Sequence, residues 1–146
     1  MFGLSMKERL YKAFMNLCET KLPVFRKEMR DLVLRAENMS EEEAGQAYAA
    51  ILQHYTSAIT EEIHRGLPPA AGFRVGAAMM RPSITELPEE YDDEFDNSLY
   101  AGKYFAVYYY AMTGKQIDFS DYGKYMRPIN QRQVELMNGV LQELSE

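Results

Sequence analysis

The chain has 146 residues, 47% of them apolar and 26% charged, a profile that supports one globular domain with its own core and excludes a disordered chain. Its one cysteine, Cys18, excludes an intramolecular disulfide and a multi-thiolate metal site. A formal net charge of −6 and the lack of a basic stripe argue against general nucleic-acid binding, which needs cations to neutralise phosphates.

Residues Met1 to Leu10 lack a basic stretch followed by an apolar one, so no secretory leader is expected. The longest apolar stretch, Tyr104 to Met112, is about half the roughly 20 residues a membrane span needs. With the lone cysteine, these features predict a cytoplasmic chain with no membrane segment.

Ser5-Met-Lys-Glu8 has capping-box spacing and predicts a helix start. Met6, Leu10, Ala13, Phe14 and Leu17 then recur at helical spacing. Pro23 interrupts or kinks this helix, because it lacks an N–H and restricts the residue before it; it also suits the first turn of a second helix. There Phe25, Met29, Leu32, Val33 and Ala36 form the apolar stripe, and Asn38-Met39 marks the stop. Ser40-Glu-Glu-Glu43 is a second capping box, with acids where the helix dipole favours them. Ala44, Tyr48, Ile51, Leu52, Tyr55, Ile59 and Ile63 continue on one face, and Gly66 before Leu67-Pro68-Pro69 ends that helix.

Residues 70–80 predict a short helix anchored by Phe73, Val75, Met79 and Met80. Pro82 and Pro88 bracket an irregular stretch. A further helix is expected from near Asp92 to Gly114, with Phe95 and Leu99 on one face. Gly102 adds no apolar surface there and weakens it, and Tyr104 to Met112 passes through the core. Residues 117–125 read as a connector or short helix. Pro128 suits the start of a last helix that buries Val134, Leu136, Met137, Val140, Leu141 and Leu144. No stretch alternates as a strand would. The expected fold is all-α: a compact single-domain bundle over residues 1–146, with about five main helices and short helical connectors.

Several patterns invite chemistry and fall short of it. Glu61-x-x-His64 has the spacing of di-iron bundles, but the motif has no second copy, and helical rotation puts His64 opposite the apolar face. An exposed cation near a helix C-terminus explains His64 better. His54 sits outside the same apolar stripe, where an ordinary hydrogen bond suffices. Cys18 reads as a small buried hydrophobe, since nucleophilic catalysis needs an adjacent base and the only two histidines lie on another helix. Gly72-Phe-Arg-Val-Gly76 and Thr113-Gly114-Lys115 do not match a phosphate-binding loop. No cofactor or metal is expected. The tyrosines Tyr100, Tyr104 and Tyr108 are spaced to share a helix face, either as core with polar tips or, with Arg74 or Arg81, as the lining of a ligand pocket.

Charge is the most uneven property of the chain. Seven of its 22 acids fall between Glu86 and Asp96 with no Lys or Arg among them, leaving 15 acids against 16 Lys and Arg elsewhere. The acids Glu86, Glu89, Glu90, Asp92, Asp93, Glu94 and Asp96 surround three apolar anchors, Leu87, Tyr91 and Phe95. One reading is a solvated loop leading into a helix whose N-terminus favours acids. The other is a docking segment in which charge steers and apolar groups bury. The EF-hand calcium pattern is not met. The expectation is therefore a small acidic protein-binding module, of inhibitor, immunity-type, adaptor or chaperone kind. It would engage another protein's basic surface and act neither as an enzyme nor on nucleic acid or membranes. The alternative is a helical ligand-binding protein or enzyme with the tyrosine-lined pocket. A homodimer through the last helix is also compatible with its apolar face.

Overall fold

The computed structural model describes residues 5–79 and 99–146, so the acidic segment and Arg81 lie outside the described residues. Helix α1 spans Met6–Lys21. Ser5 Oγ accepts a hydrogen bond from the Glu8 N–H at 3.2 Å, satisfying one of the donors a helix start leaves free. The Glu8 carboxylate accepts from the Tyr125 hydroxyl at 2.7 Å, which ties this first turn to the far end of the chain. The helix buries Leu10, Phe14 and Cys18. Pro23 then sits in a tight 3-10 turn, Leu22–Phe25, between α1 and α2 (Arg26–Arg35). Helix α2 buries Met29 and Leu32. Ala36, expected on its inner stripe, is exposed, because the chain tightens into the 3-10 turn Ala36–Asn38 and leaves the helical rotation.

Helix α3 (Glu41–Arg65) opens on a complete capping box. Ser40 Oγ accepts from the Glu43 N–H at 3.1 Å, and the Ser40 N–H donates back to the Glu43 carboxylate at 3.3 Å. Its inner face runs through Ile51, Leu52, Tyr55, Ile59 and Ile63. Gly66 ends it with right-handed backbone, φ −82°, so Pro68 and Pro69 force the stop, not a left-handed glycine. Pro69 begins α4 (Pro69–Met79), the expected short helix. Only a narrow strip of it is inward: Ala71 and Ala78 are buried and Val75 half-buried, while Phe73 and Met79, expected as anchors, are exposed.

Helix α5 is shorter than expected. Leu99 to Ala101 form turn and coil, and the helix runs Gly102–Thr113. Gly114 follows at φ 72°, the one left-handed residue among those described, and its N–H closes on the Tyr110 carbonyl at 2.7 Å. A single turn, Phe119–Asp121, and a wider π turn, Tyr122–Met126, lead into α6 (Arg127–Ser145), with Pro128 in its first turn.

The described residues are all-α, with no strand. Helix α1 packs against α3, α5 and α6, α2 against α3 and α6, and α4 along α5. Phe14, Met29, Tyr55, Ile59, Phe105, Met126, Ile129 and Met137 fill the centre and are fully buried. Each such side chain contributes about 1.5–3 kcal/mol by leaving water. Phe105 stacks on Tyr125 at 5.0 Å between ring centroids, and Tyr11 closes on the same ring at 5.4 Å.

Helix α6 faces inward on Ile129, Asn130, Gln133, Met137 and Val140. Its expected face is therefore partly corrected: Met137 and Val140 are buried, whereas Val134, Leu136, Leu141 and Leu144 are half-buried at the core's edge. Two carboxamides, Asn130 and Gln133, hold the inward positions between Ile129 and Met137.

Candidate functional site

The acidic residues Glu86, Leu87, Glu89, Glu90, Tyr91, Asp92, Asp93, Glu94, Phe95 and Asp96 fall outside the described residues, as does the expected helix start near Asp92. The chain on either side of them is described. On the N-terminal side stands α4, packed along α5. On the C-terminal side, the backbone from Leu99 to Gly102 is held by side chains of α3 and α6. The Ala101 N–H donates to Gln133 Oε1 at 2.9 Å, and the Gly102 N–H donates to Asn130 Oδ1 at 2.6 Å. Gln133 Nε2 donates to Thr56 Oγ1 at 2.6 Å and also reaches the Leu99 carbonyl at 3.4 Å. The Thr56 hydroxyl donates to that same carbonyl. Thr56, Asn130 and Gln133 are all buried, at 2%, 3% and 0% exposure, so each bond replaces one that water cannot supply.

These bonds explain why α5 starts where it does. A helix start leaves its first N–H groups unpaired, and here two carboxamide oxygens from α6 take those of Ala101 and Gly102. The approach is so close that a Cβ on Gly102 would collide with the Met126 carbonyl oxygen and Asn130 Oδ1. Glycine is there for this contact. Among the described residues, Asn130 Nδ2 is the buried side-chain polar atom left without a partner. Neither Asn130 nor Gln133 is among the residues the sequence marks as buried, since only apolar spacing defines that face of the helix. Gln133 does fall four residues after Ile129 and four before Met137, so helical spacing alone marked it as inward.

The tyrosines part company. Tyr100 precedes α5 and so does not share a helix face with Tyr104 and Tyr108, correcting that expectation. Tyr104 stacks on Tyr108 with centroids 6.2 Å apart. The Tyr108 hydroxyl donates to the Thr60 carbonyl at 3.1 Å, and burial pushes its pKa up to about 12. Beside it lies a cavity of about 300 Å³ lined by Thr60, Glu61, His64, Arg65 and Tyr108. Tyr100, Tyr104 and Arg74 do not line that cavity. Arg74 is exposed on α4, and Arg81 lies outside the described residues.

The remaining reactive groups are widely spread. Cys18 is fully buried, and desolvation raises its thiol to about 12, so almost no thiolate exists near neutrality. The Tyr55 hydroxyl donates to the Cys18 carbonyl. His54 is exposed, 3.7 Å from the Glu28 carboxylate. His64 is exposed at the end of α3 and meets the Tyr108 ring edge-on. The Lys7 ammonium pairs with the buried Asp121 carboxylate at 2.8 Å and Asp118 at 3.4 Å, and the Asp121 bond raises its pKa. Among the described residues, no three potential metal ligands gather, and no helix is long and apolar enough to cross a membrane.

A second concavity, apolar and about 400 Å³, lies between α1 and the end of α3, with Leu10, Leu17, Ile63, Leu67 and Met112 in its wall. Its charged neighbours are Arg9 and Glu62, and Glu62 already pairs with Lys21 at 3.1 Å and Arg65 at 3.3 Å. No family model, no curated protein and no solved structure matches this chain.

Proposed function

We propose that the protein is a small acidic binding module that docks on a basic surface of another protein through residues 86–96. Charge distribution carries this reading. The segment holds seven acids and no Lys or Arg, while the rest of the chain holds 15 acids against 16 Lys and Arg. The whole excess of −6 belongs to one stretch of chain that also carries Leu87, Tyr91 and Phe95. Such a stretch steers a cationic partner from a distance and offers apolar side chains to bury on arrival. Support also comes from the fixed points on either side, α4 against α5 and the clasped backbone at Leu99 to Gly102. A segment tethered at both ends loses less freedom on docking than a free tail.

The second reading, a helical ligand-binding protein or enzyme, rests on the cavity beside Tyr108, where His64 and Arg65 bring cationic or hydrogen-bonding groups to an aromatic wall. It suits a small aromatic ligand with hydrogen-bonding groups.

The decisive comparison uses a lysine- and leucine-rich amphipathic peptide as the basic probe. Calorimetry at graded salt would follow the natural chain and a variant with the seven acids of 86–96 changed to Asn or Gln. Docking predicts an affinity that falls as salt rises and is lost in the variant. Unchanged affinity in the variant would refute it.

A further inference from the structure

The backbone from Leu99 to Gly102 is held more firmly than a helix start requires. A serine or aspartate at the cap would satisfy a first donor from within the same segment, yet α5 has no side-chain cap of its own. Hydrogen bonds reach in from two other helices instead. From α6, Gln133 and Asn130 take the Ala101 and Gly102 N–H groups at 2.9 and 2.6 Å. From α3, the Thr56 hydroxyl donates to the Leu99 carbonyl, which Gln133 Nε2 also reaches at 3.4 Å. A local cap would start the helix and leave its placement to packing. Bonds from α3 and α6 fix this backbone relative to the core. Thr56, Ala101, Asn130 and Gln133 are each 3% exposed or less, so water does not compete for these bonds.

The firm end lies close to one apolar anchor of the acidic segment and far from another. Phe95 stands four positions before Leu99, a reach of at most about 14 Å along the chain. Leu87 stands eight positions after Met79, where α4 ends, a reach of up to about 28 Å. The volume open to a tethered side chain grows steeply with its reach, so Phe95 is the more confined of the two.

We propose that Thr56 and Gln133 are positioning residues for docking, holding the end of the acidic segment so that Phe95 is a stronger binding anchor than Leu87. The proposal rests on residues 86–96 being the docking segment. An anchor that the chain already confines loses less freedom when a partner immobilises it. The acids stay on the chain whether or not the clasp holds, so steering toward a cationic partner does not depend on it. The clasp therefore governs how long the complex lasts, not how fast it forms. By linkage, docking must tighten the clasp by the same factor by which the clasp tightens docking.

Stopped-flow kinetics with the lysine- and leucine-rich peptide on the full chain tests this. In Gln133→Leu the dissociation rate should rise about 5- to 10-fold, while the association rate and its salt dependence stay within about twofold. Thr56→Val, which removes a hydroxyl and keeps the side chain's shape, should act the same way and serves if the thermal melt shows Gln133→Leu unfolded. Gln131→Ala, at an exposed position of α6, should change neither rate. Phe95→Ala should weaken binding at least about fivefold more than Leu87→Ala. In the natural chain, docking should slow hydrogen exchange at the Ala101 and Gly102 amides by the factor seen in the dissociation rates, a readout that needs no variant. Failure of the natural chain to bind the peptide would overturn the docking reading itself. Binding with unchanged dissociation in both clasp variants, with Ala101 and Gly102 exchange unmoved, or with Leu87→Ala as costly as Phe95→Ala would overturn the positioning role alone.

Discussion

Single side chains decide more here than their hydropathy suggests. Gln133 reads as a surface residue, yet it is fully buried and satisfies backbone groups about thirty residues away in the chain. Gly102 reads as a weak point inside a helix, yet it opens one, pressed against Met126 and Asn130. Both readings failed for one physical reason: each residue serves a contact between distant segments, and local spacing carries no record of such a contact. Gln133→Leu would leave the buried Ala101 N–H unpaired, and Gly102→Ala would force backbone apart. Each is expected to lower unfolding free energy by about 2 kcal/mol, measured by urea denaturation. Substitution of the exposed Gln131 on the same helix should change little. Stability unchanged in Gln133→Leu would mean that the carboxamide clasp contributes nothing.

Elements with local signals came through intact, and those without did not. The start of α3 was legible because a capping box is written within four residues, and both of its bonds form. The stop at Arg65 was legible because two prolines follow. The start of α5 was not, since its first donors are taken by α6 rather than by a cap in its own sequence. Helix α4 was legible as a helix and misread in orientation: its small residues, not Phe73 and Met79, face inward. Alanine allows α4 to approach α5 closely, and a large inward side chain would hold it away. At the cap itself, Ser40→Ala should cost about 1 kcal/mol, with the loss seen as earlier fraying of the first turns of α3 by amide hydrogen exchange. Protection equal to that of the natural chain would show that the acids of the first turn suffice without the cap.

The whole molecule combines a concentrated run of acids, residues 86–96, with near-balanced charge over the rest of the chain. Of its interior, Cys18, Tyr55 and Tyr108 are held protonated by burial, with pKa values pushed up to about 12 for Cys18 and Tyr108 and higher still for Tyr55. A group whose folded pKa exceeds its unfolded one contributes stability that is complete below the unfolded value and is lost as pH rises through the folded value. With unfolded values near 8.5 for cysteine and 10 for tyrosine, stability should decline from about pH 8.5 upward. Urea midpoints across that range would show it, and a flat profile up to pH 11 would contradict the burial of these groups. Of the functional reading, the charge was legible in the sequence and its setting was not. Seven acids in eleven residues, and the near balance of 15 acids against 16 Lys and Arg elsewhere, are visible at sight, whereas the clasp beside the segment emerges only from the fold. The rival acidic surface is the start of α3, where Glu37, Glu41, Glu42 and Glu43 are all exposed. Amide chemical shifts followed during titration with the lysine- and leucine-rich peptide separate the two. Docking through the segment predicts the largest changes at residues 86–96 with the start of α3 unmoved; changes centred on residues 37–43 would contradict it.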